Sequence, residues 1–224
     1  MANSVSIEPI LENATAILRS EHETILRVLD RTDAIAGSLR QGQQVAPEIL
    51  LELVEFYREF VDRRHRPKEE DLLFPTLQQK GVCASALQEI TMNLLDHEEG
   101  QFWIASMHQL ARAYRQGCSM AGCRWGQTAG SYVQMLRGHI EAENQTLFPI
   151  AEKTLTENEQ RALAGAFEVF AGEKATQHEA RTGTSEVGAP AQSLRREPRE
   201  PTGSCPEATT WVKLRTCDTK LLHS

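Results

Sequence analysis

Apolar residues recur three and four positions apart over most of the first 170 residues. Ile10, Ala14, Ile17, Leu18, Ile25, Leu29 and Ala36 lie on one stripe of helical period, and His22 falls within it. Pro47 suits a first helical turn, and Ile49, Leu53, Phe56, Phe60 and Val61 follow it on a second stripe. A third runs through Leu87, Ile90, Leu94, His97, Gln101, Ile104, His108 and Ala111. The fourth runs through Tyr132, Val133, Leu136, His139, Ile140, Glu143 and Leu147 and is closed by Pro149. Gly37 or Gly42 is expected to end the first helix, and Gly117, Gly122 and Gly126 to mark the break before the fourth. Thr156 and Glu159 form a capping box ahead of Leu163, Phe167 and Phe170. Hairpin signals such as Asn-Gly or Asp-Gly are absent. The pattern predicts an all-α chain: an antiparallel up-down four-helix bundle with a short fifth helix, spanning residues 1–175.

The periodicity stops there. Residues 176–224 contain Gly183, Gly188, Pro190, Pro198, Pro201, Gly203 and Pro206 around an arginine cluster, Arg195, Arg196 and Arg199. Too few apolar positions remain to offset the entropy of ordering, so this tail is expected to be disordered. The tail carries 7 basic and 6 acidic side chains, so of the net charge of −7 the helical body holds −8. An acidic chain is a poor match for nucleic acid or an anionic membrane. No apolar run approaches the roughly 18 residues of a membrane span. Met1–Pro9 has neither the basic nor the apolar region of a signal peptide. Five scattered cysteines make no disulfide framework, and Cys118 and Cys123 have no second pair to complete a metal motif. A cytoplasmic location is the expectation.

Histidines inside apolar stripes change the picture. Residues 65–75 and 139–149 align at an offset of 74, with identities at His65/His139, Glu69/Glu143, Leu73/Leu147, Phe74/Phe148 and Pro75/Pro149. Glu21-His22-Glu23 answers Asp96-His97-Glu98 at an offset of 75. Such a repeat folds most simply as two helical hairpins about a pseudo-twofold axis. In each His-x-x-x-Glu the two side chains share a helical face, about 6 Å apart along the axis. Two of these motifs plus His22 and His97 bring four imidazoles and two carboxylates into one interior. Buried carboxylates without a countercharge are costly. This donor set suits a pair of first-row metal ions with open coordination positions. The Glu-x-x-His spacing of ferritin-like di-iron bundles is absent, because Arg19, Asp62, Leu94 and Leu136 stand three before the histidines. His97-Glu98 lacks the second histidine of H-E-x-x-H. His108 lies about 16 Å along the helix from His97, which favours a packing role. Glu21 and Asp96 are candidate acceptors for the histidine rings, and Tyr57 a candidate neighbour of the site. No phosphate loop or nucleophile elbow is present.

The paired motifs H-R-P-K-E-E-D-L-L-F-P and H-I-E-A-E-N-Q-T-L-F-P resemble the hemerythrin-like (HHE cation-binding) family, over residues 8–175. The resemblance implies a bundle holding two iron ions in a non-haem di-iron centre, with His22, His65, Glu69, His97, His139 and Glu143 as ligands and the two glutamates able to bridge. Oxygen-carrying members have a further histidine where Gln101 stands here. The chain is therefore similar to the four-His, two-Glu variants, associated with oxygen, nitric oxide or iron sensing and with iron–sulfur cluster repair. This implies a small diatomic ligand or iron as the partner. Redox turnover of nitric oxide or peroxide, and a metal-sensing interaction module, are the alternatives. Pro67, between His65 and Glu69, predicts a kink that would shift Glu69.

Overall fold

The computed structural model describes residues 13–182, with side chains as far as Val169. Of the tail expected to be disordered from residue 176, the first seven residues are instead helical, and the remainder lies outside the described residues, which contain helices and no strand. Helix α1 (Ala14–Arg40) starts at Asn13, whose side chain accepts from the Ala16 amide at 2.7 Å. The chain reverses at Gly42, where φ is 78°, and Gly37 stays within the helix. A second rod runs through α2 (Pro47–Phe56), two π-helical segments, π1 (Tyr57–His65) and π2 (Lys68–Leu73), and α3 (Phe74–Gln79). After α4 (Ala84–Arg115) a turn at Gly117 leads to α5 (Ser119–Ala142), π3 (Glu143–Leu147) and α6 (Phe148–Thr154). The four rods form an antiparallel up-down bundle. A fifth helix, α7 (Glu157–Thr182), opens on the predicted capping box, with Glu159 Oε2 accepting from the Thr156 amide at 2.9 Å. None of the described helices is long and apolar enough to cross a membrane.

One expected break is misplaced. Gly122 and Gly126 lie inside α5, and Gly117 alone makes the turn. With Gly130 they form a stripe four residues apart that faces α1. A Cβ on Gly126 would stand 2.6 Å from the Ala36 carbonyl oxygen, and one on Gly122 would stand 2.8 Å from the Tyr114 ring. These glycines are therefore contact surface. They let α1 approach the α5 backbone at the expense of some helix propensity.

The three π segments share a cause that is visible in the sequence. Each ends two residues before a proline: Pro67, Pro75 and Pro149. Proline lacks an N–H and crowds the carbonyl four residues back. In each case the residue just before it donates to a carbonyl five back instead: Arg66 to Val61, Phe74 to Glu69 and Phe148 to Glu143. The wider turn accommodates the ring without ending the rod. It also takes in one more residue than an α turn, which re-aims the side chains it carries. Those side chains include His65, Glu69 and Glu143.

The interior is layered. One apolar cluster gathers Ile25, Leu29, Tyr57, Ile104, Trp125 and Tyr132 among others. A second joins Leu18, Leu73, Phe74, Leu147, Phe148 and, from α7, Phe167. Along every rod a histidine separates the two clusters. Leu18 and Ile25 flank His22, and Ile90 and Ile104 flank His97.

Candidate metal centre

All six predicted ligands meet in that middle layer, each buried. They form two groups of four: His22, His65, Glu69 and Glu143, and Glu69, His97, His139 and Glu143. Within each group one ligand atom per residue lies within 4.8 Å of all the others, and both groups share both glutamates. His22 Nε2 is 3.1 Å from His65 Nε2, and His97 Nε2 is 3.1 Å from His139 Nε2. Glu69 turns Oε1 to His65 at 3.3 Å and Oε2 to His97 at 3.4 Å, so its two oxygens face different histidine pairs. Glu143 Oε2 lies 3.1 Å from His22 and 3.5 Å from His139. The expected shift at Pro67 is not observed. The His–Glu separation is 3.3 Å in the motif with the proline and 3.5 Å in the one without it. The π turns absorb the ring on either side.

Each imidazole is oriented through its other nitrogen. His65 Nδ1 meets Glu21 at 2.9 Å and His139 Nδ1 meets Asp96 at 3.3 Å, each within one hairpin. His97 Nδ1 meets Glu70 at 2.7 Å and His22 Nδ1 meets Asn144 at 3.1 Å, each across to the other hairpin. Glu21 and Asp96 were predicted as acceptors from their positions beside His22 and His97, yet each holds the histidine of the next rod. Glu70 and Asn144 were not predicted. The signal for them was present, since each directly follows a motif glutamate and the two correspond at the repeat offset of 74. Phe148 stacks on His22 and Phe74 on His97, so the repeated Leu-Phe-Pro supplies a wall to each pair.

Gln101 does not face the cluster. It is exposed, and with its amide oxygen turned toward Arg66 it accepts from that guanidinium at 2.6 Å. Arg66 in turn pairs with Glu70 at 2.8 Å. Tyr57 is fully buried in the neighbouring apolar layer, with its hydroxyl 2.6 Å from Thr32 Oγ1 and its ring edge-on to Tyr132. His108 is half-buried and belongs to neither group of four. The free thiols Cys83 and Cys123 also stand outside both groups.

The electrostatics are those of a site built around positive charge. All four carboxylate oxygens of Glu69 and Glu143 are buried and accept no hydrogen bond. An uncompensated pair of this kind is strongly unfavourable. Burial raises Glu143, with Glu69 beside it, to a pKa of about 7. Glu69 is held well below its usual range, because His65 and His97 outweigh its burial. Burial alone would depress His65, but Glu69 and Glu21 push it up to about 10. His97 rises against burial to about 9 through Glu69 and Glu70. His22, desolvated and facing His65, falls to about 4. Metal-free, the layer thus holds protons where a cation would sit. With each Nδ1 donating outward, the paired Nε2 lone pairs and the free carboxylate oxygens converge as ligands. Four imidazoles and two carboxylates therefore fit a pair of first-row cations.

Residues 13–151 match the family model of the hemerythrin HHE cation-binding domain. Searches of curated proteins and of solved structures returned no match.

Proposed function

The chain belongs to the hemerythrin HHE cation-binding family, and from that premise we propose that the layer holds two iron ions as a non-haem di-iron centre. One ion would take His22 and His65, the other His97 and His139, with Glu69 and Glu143 serving both. The observation that carries this reading is the sharing of two glutamates, whose four oxygens are buried and unbonded, between two histidine pairs. Iron so bound supplies redox chemistry and binding of small diatomic ligands. The protein's own side chains orient the imidazoles through Glu21, Glu70, Asp96 and Asn144. Phe74 and Phe148 stack on one ring of each pair. Two histidines and two shared carboxylates give each position fewer protein donors than an octahedron needs, which leaves places for an oxygen or nitric oxide molecule. The role we infer is therefore binding or sensing of such a ligand, or of iron itself.

A second reading, redox turnover of nitric oxide or peroxide or iron supply to damaged clusters, draws on one observation. The position of a further histidine is an exposed glutamine bonded elsewhere. Anaerobic reconstitution with ferrous iron followed by metal analysis tests the primary reading, which expects two irons per chain. Fewer than one would overturn it. Consumption of nitric oxide or peroxide well beyond one equivalent, abolished in Glu143→Ala, would move the function to turnover.

A further inference from the structure

The two hairpins present identical ligands, but the groups behind those ligands differ. Resting on the two-ion reading, we propose that the two cation positions are unequal: His97 and His139 take the first ion tightly, while His22 and His65 take a second, weaker and exchangeable one, with the ranking set by Glu70 and Asn144.

Both histidines of the first pair donate to carboxylates, His97 to Glu70 at 2.7 Å and His139 to Asp96 at 3.3 Å. In the second pair only His65 does so, to Glu21 at 2.9 Å, whereas His22 meets the neutral amide of Asn144 at 3.1 Å. A carboxylate accepting from Nδ1 makes Nε2 a stronger donor than an amide does. Fixed cations widen the gap. Lys68, itself buried, pairs with Glu21, and Arg19 donates to Asn144 Oδ1 at 3.3 Å. Behind His97 and His139 the only cation bonded to these acceptors among the described residues is Arg66, on Glu70. Arg19 also pairs with Glu152 at 3.2 Å and Arg66 with Asp62 at 3.8 Å, so two carboxylates stand against two cations behind His22 and His65, and three carboxylates against one cation behind the other pair. The repeat shows that this is particular to the first motif, since Ile140 and Ala142 occupy the positions that answer Arg66 and Lys68. The aromatic cover continues the asymmetry. Arg19 lies over Phe148, which stacks on His22, and Lys68 lies over Phe167 of α7. A cation approaching on that side passes two positive side chains, each balanced by a single carboxylate, Glu152 for Arg19 and Glu21 for Lys68. A half-loaded state would then persist over a range of iron concentration, as iron sensing or donation requires.

Changing the partner of a metal-ligating histidine commonly alters affinity by about 10–100-fold, and that is the separation expected here. The metal-free full-length chain is titrated anaerobically with ferrous iron by calorimetry to count ions and rank affinities. A parallel zinc titration followed by histidine-ring nitrogen NMR identifies which pair fills first. We expect two ions, with the His97 and His139 rings responding before those of His22 and His65. Glu70→Gln should weaken the first ion, Asn144→Asp should strengthen the second, and each should narrow the separation; helical circular dichroism checks that both variants fold. Two ions of equal affinity, or His22 and His65 responding first, would overturn the ranking and leave the two-ion reading standing. A single ion on His97 and His139 would uphold the ranking and overturn the two-ion reading. No uptake would overturn both.

Discussion

The apolar layer around Trp125 and the polar layer around Glu69 sit next to each other in one bundle and are stabilised in opposite ways. Trp125, Leu29, Met107 and Ala129 are fully buried, and close packing across α1, α4 and α5 stabilises them whatever the solution contains. The middle layer is buried just as deeply, but its carboxylates have no hydrogen-bond partners and its histidine nitrogens face one another. It is complete only with added positive charge, protons or metal. One layer makes the fold; the other draws on that stability to keep an unfavourable arrangement ready for a ligand.

Metal should produce the largest effect. Binding to the folded state alone at about a thousand times the dissociation constant adds about 4 kcal/mol per ion. Ferrous loading should therefore raise the melting temperature sharply, and chelation should reverse it. In Glu143→Ala most of that increment should vanish while the metal-free melting temperature falls little, since a buried orphan carboxylate is removed; calorimetry on loaded and stripped protein measures both. Truncation in the other layer should behave differently. Trp125→Ala is expected to cost about 3–5 kcal/mol in both loaded and stripped protein, as read by urea denaturation. An effect confined to the loaded form would break the proposed separation of roles. Gly126→Ala is smaller: the clash with the Ala36 carbonyl costs about 1–3 kcal/mol, offset by about 1 kcal/mol of helix propensity. The net loss of stability, again independent of metal, would confirm that the stripe is a contact surface; a gain would show that α1 can move away.

Acidity gives the finest test. His65 and His97 have folded pKa values of about 10 and about 9, above the ordinary 6.5. Their contribution to the metal-free fold is fully present below pH 6.5 and is lost as pH rises through about 9–10. The stripped protein should therefore lose melting temperature from these two groups progressively between about pH 6.5 and 10. Metal uptake must displace the same protons and the one on Glu143, which leaves near pH 7. Affinity should then fall as pH drops from 8 to 6, with proton release measurable in a weakly buffered titration. Unchanged affinity over that range would mean that the ions bind elsewhere than the polar layer.

The cluster of six buried side chains was readable because it repeats. His65 and Glu69, and His139 and Glu143, recur with their Leu-Phe-Pro endings at one offset, and all four histidines interrupt apolar stripes. Helical period alone then places them inside. The capping box at Thr156 was equally local and came out as expected. The glycines of α5 were misread because a helix interior and a break use the same residue; the distinction lies in α1, which is more than 80 residues away in the chain. Glu21 and Asp96 were found, but their partners were not. A residue adjacent to a histidine on one helix points away from it, so its hydrogen bond goes to the neighbouring rod.

By itself, then, the sequence determined the helices, the two-hairpin repeat and the six side chains that meet inside, since periodicity and identity between repeats are properties of the chain alone. The prolines at 67, 75 and 149 also carry the cause of the π turns. Tertiary structure alone decided which acceptor stands behind which histidine, how closely α1 approaches α5, and that Gln101 faces solvent. These depend on contacts between rods far apart in the chain, where direction and distance are set by packing. The inequality between Glu70 and Asn144 belongs to both. The residues are written in the sequence, but what they act on became visible only when the second hairpin folded against the first.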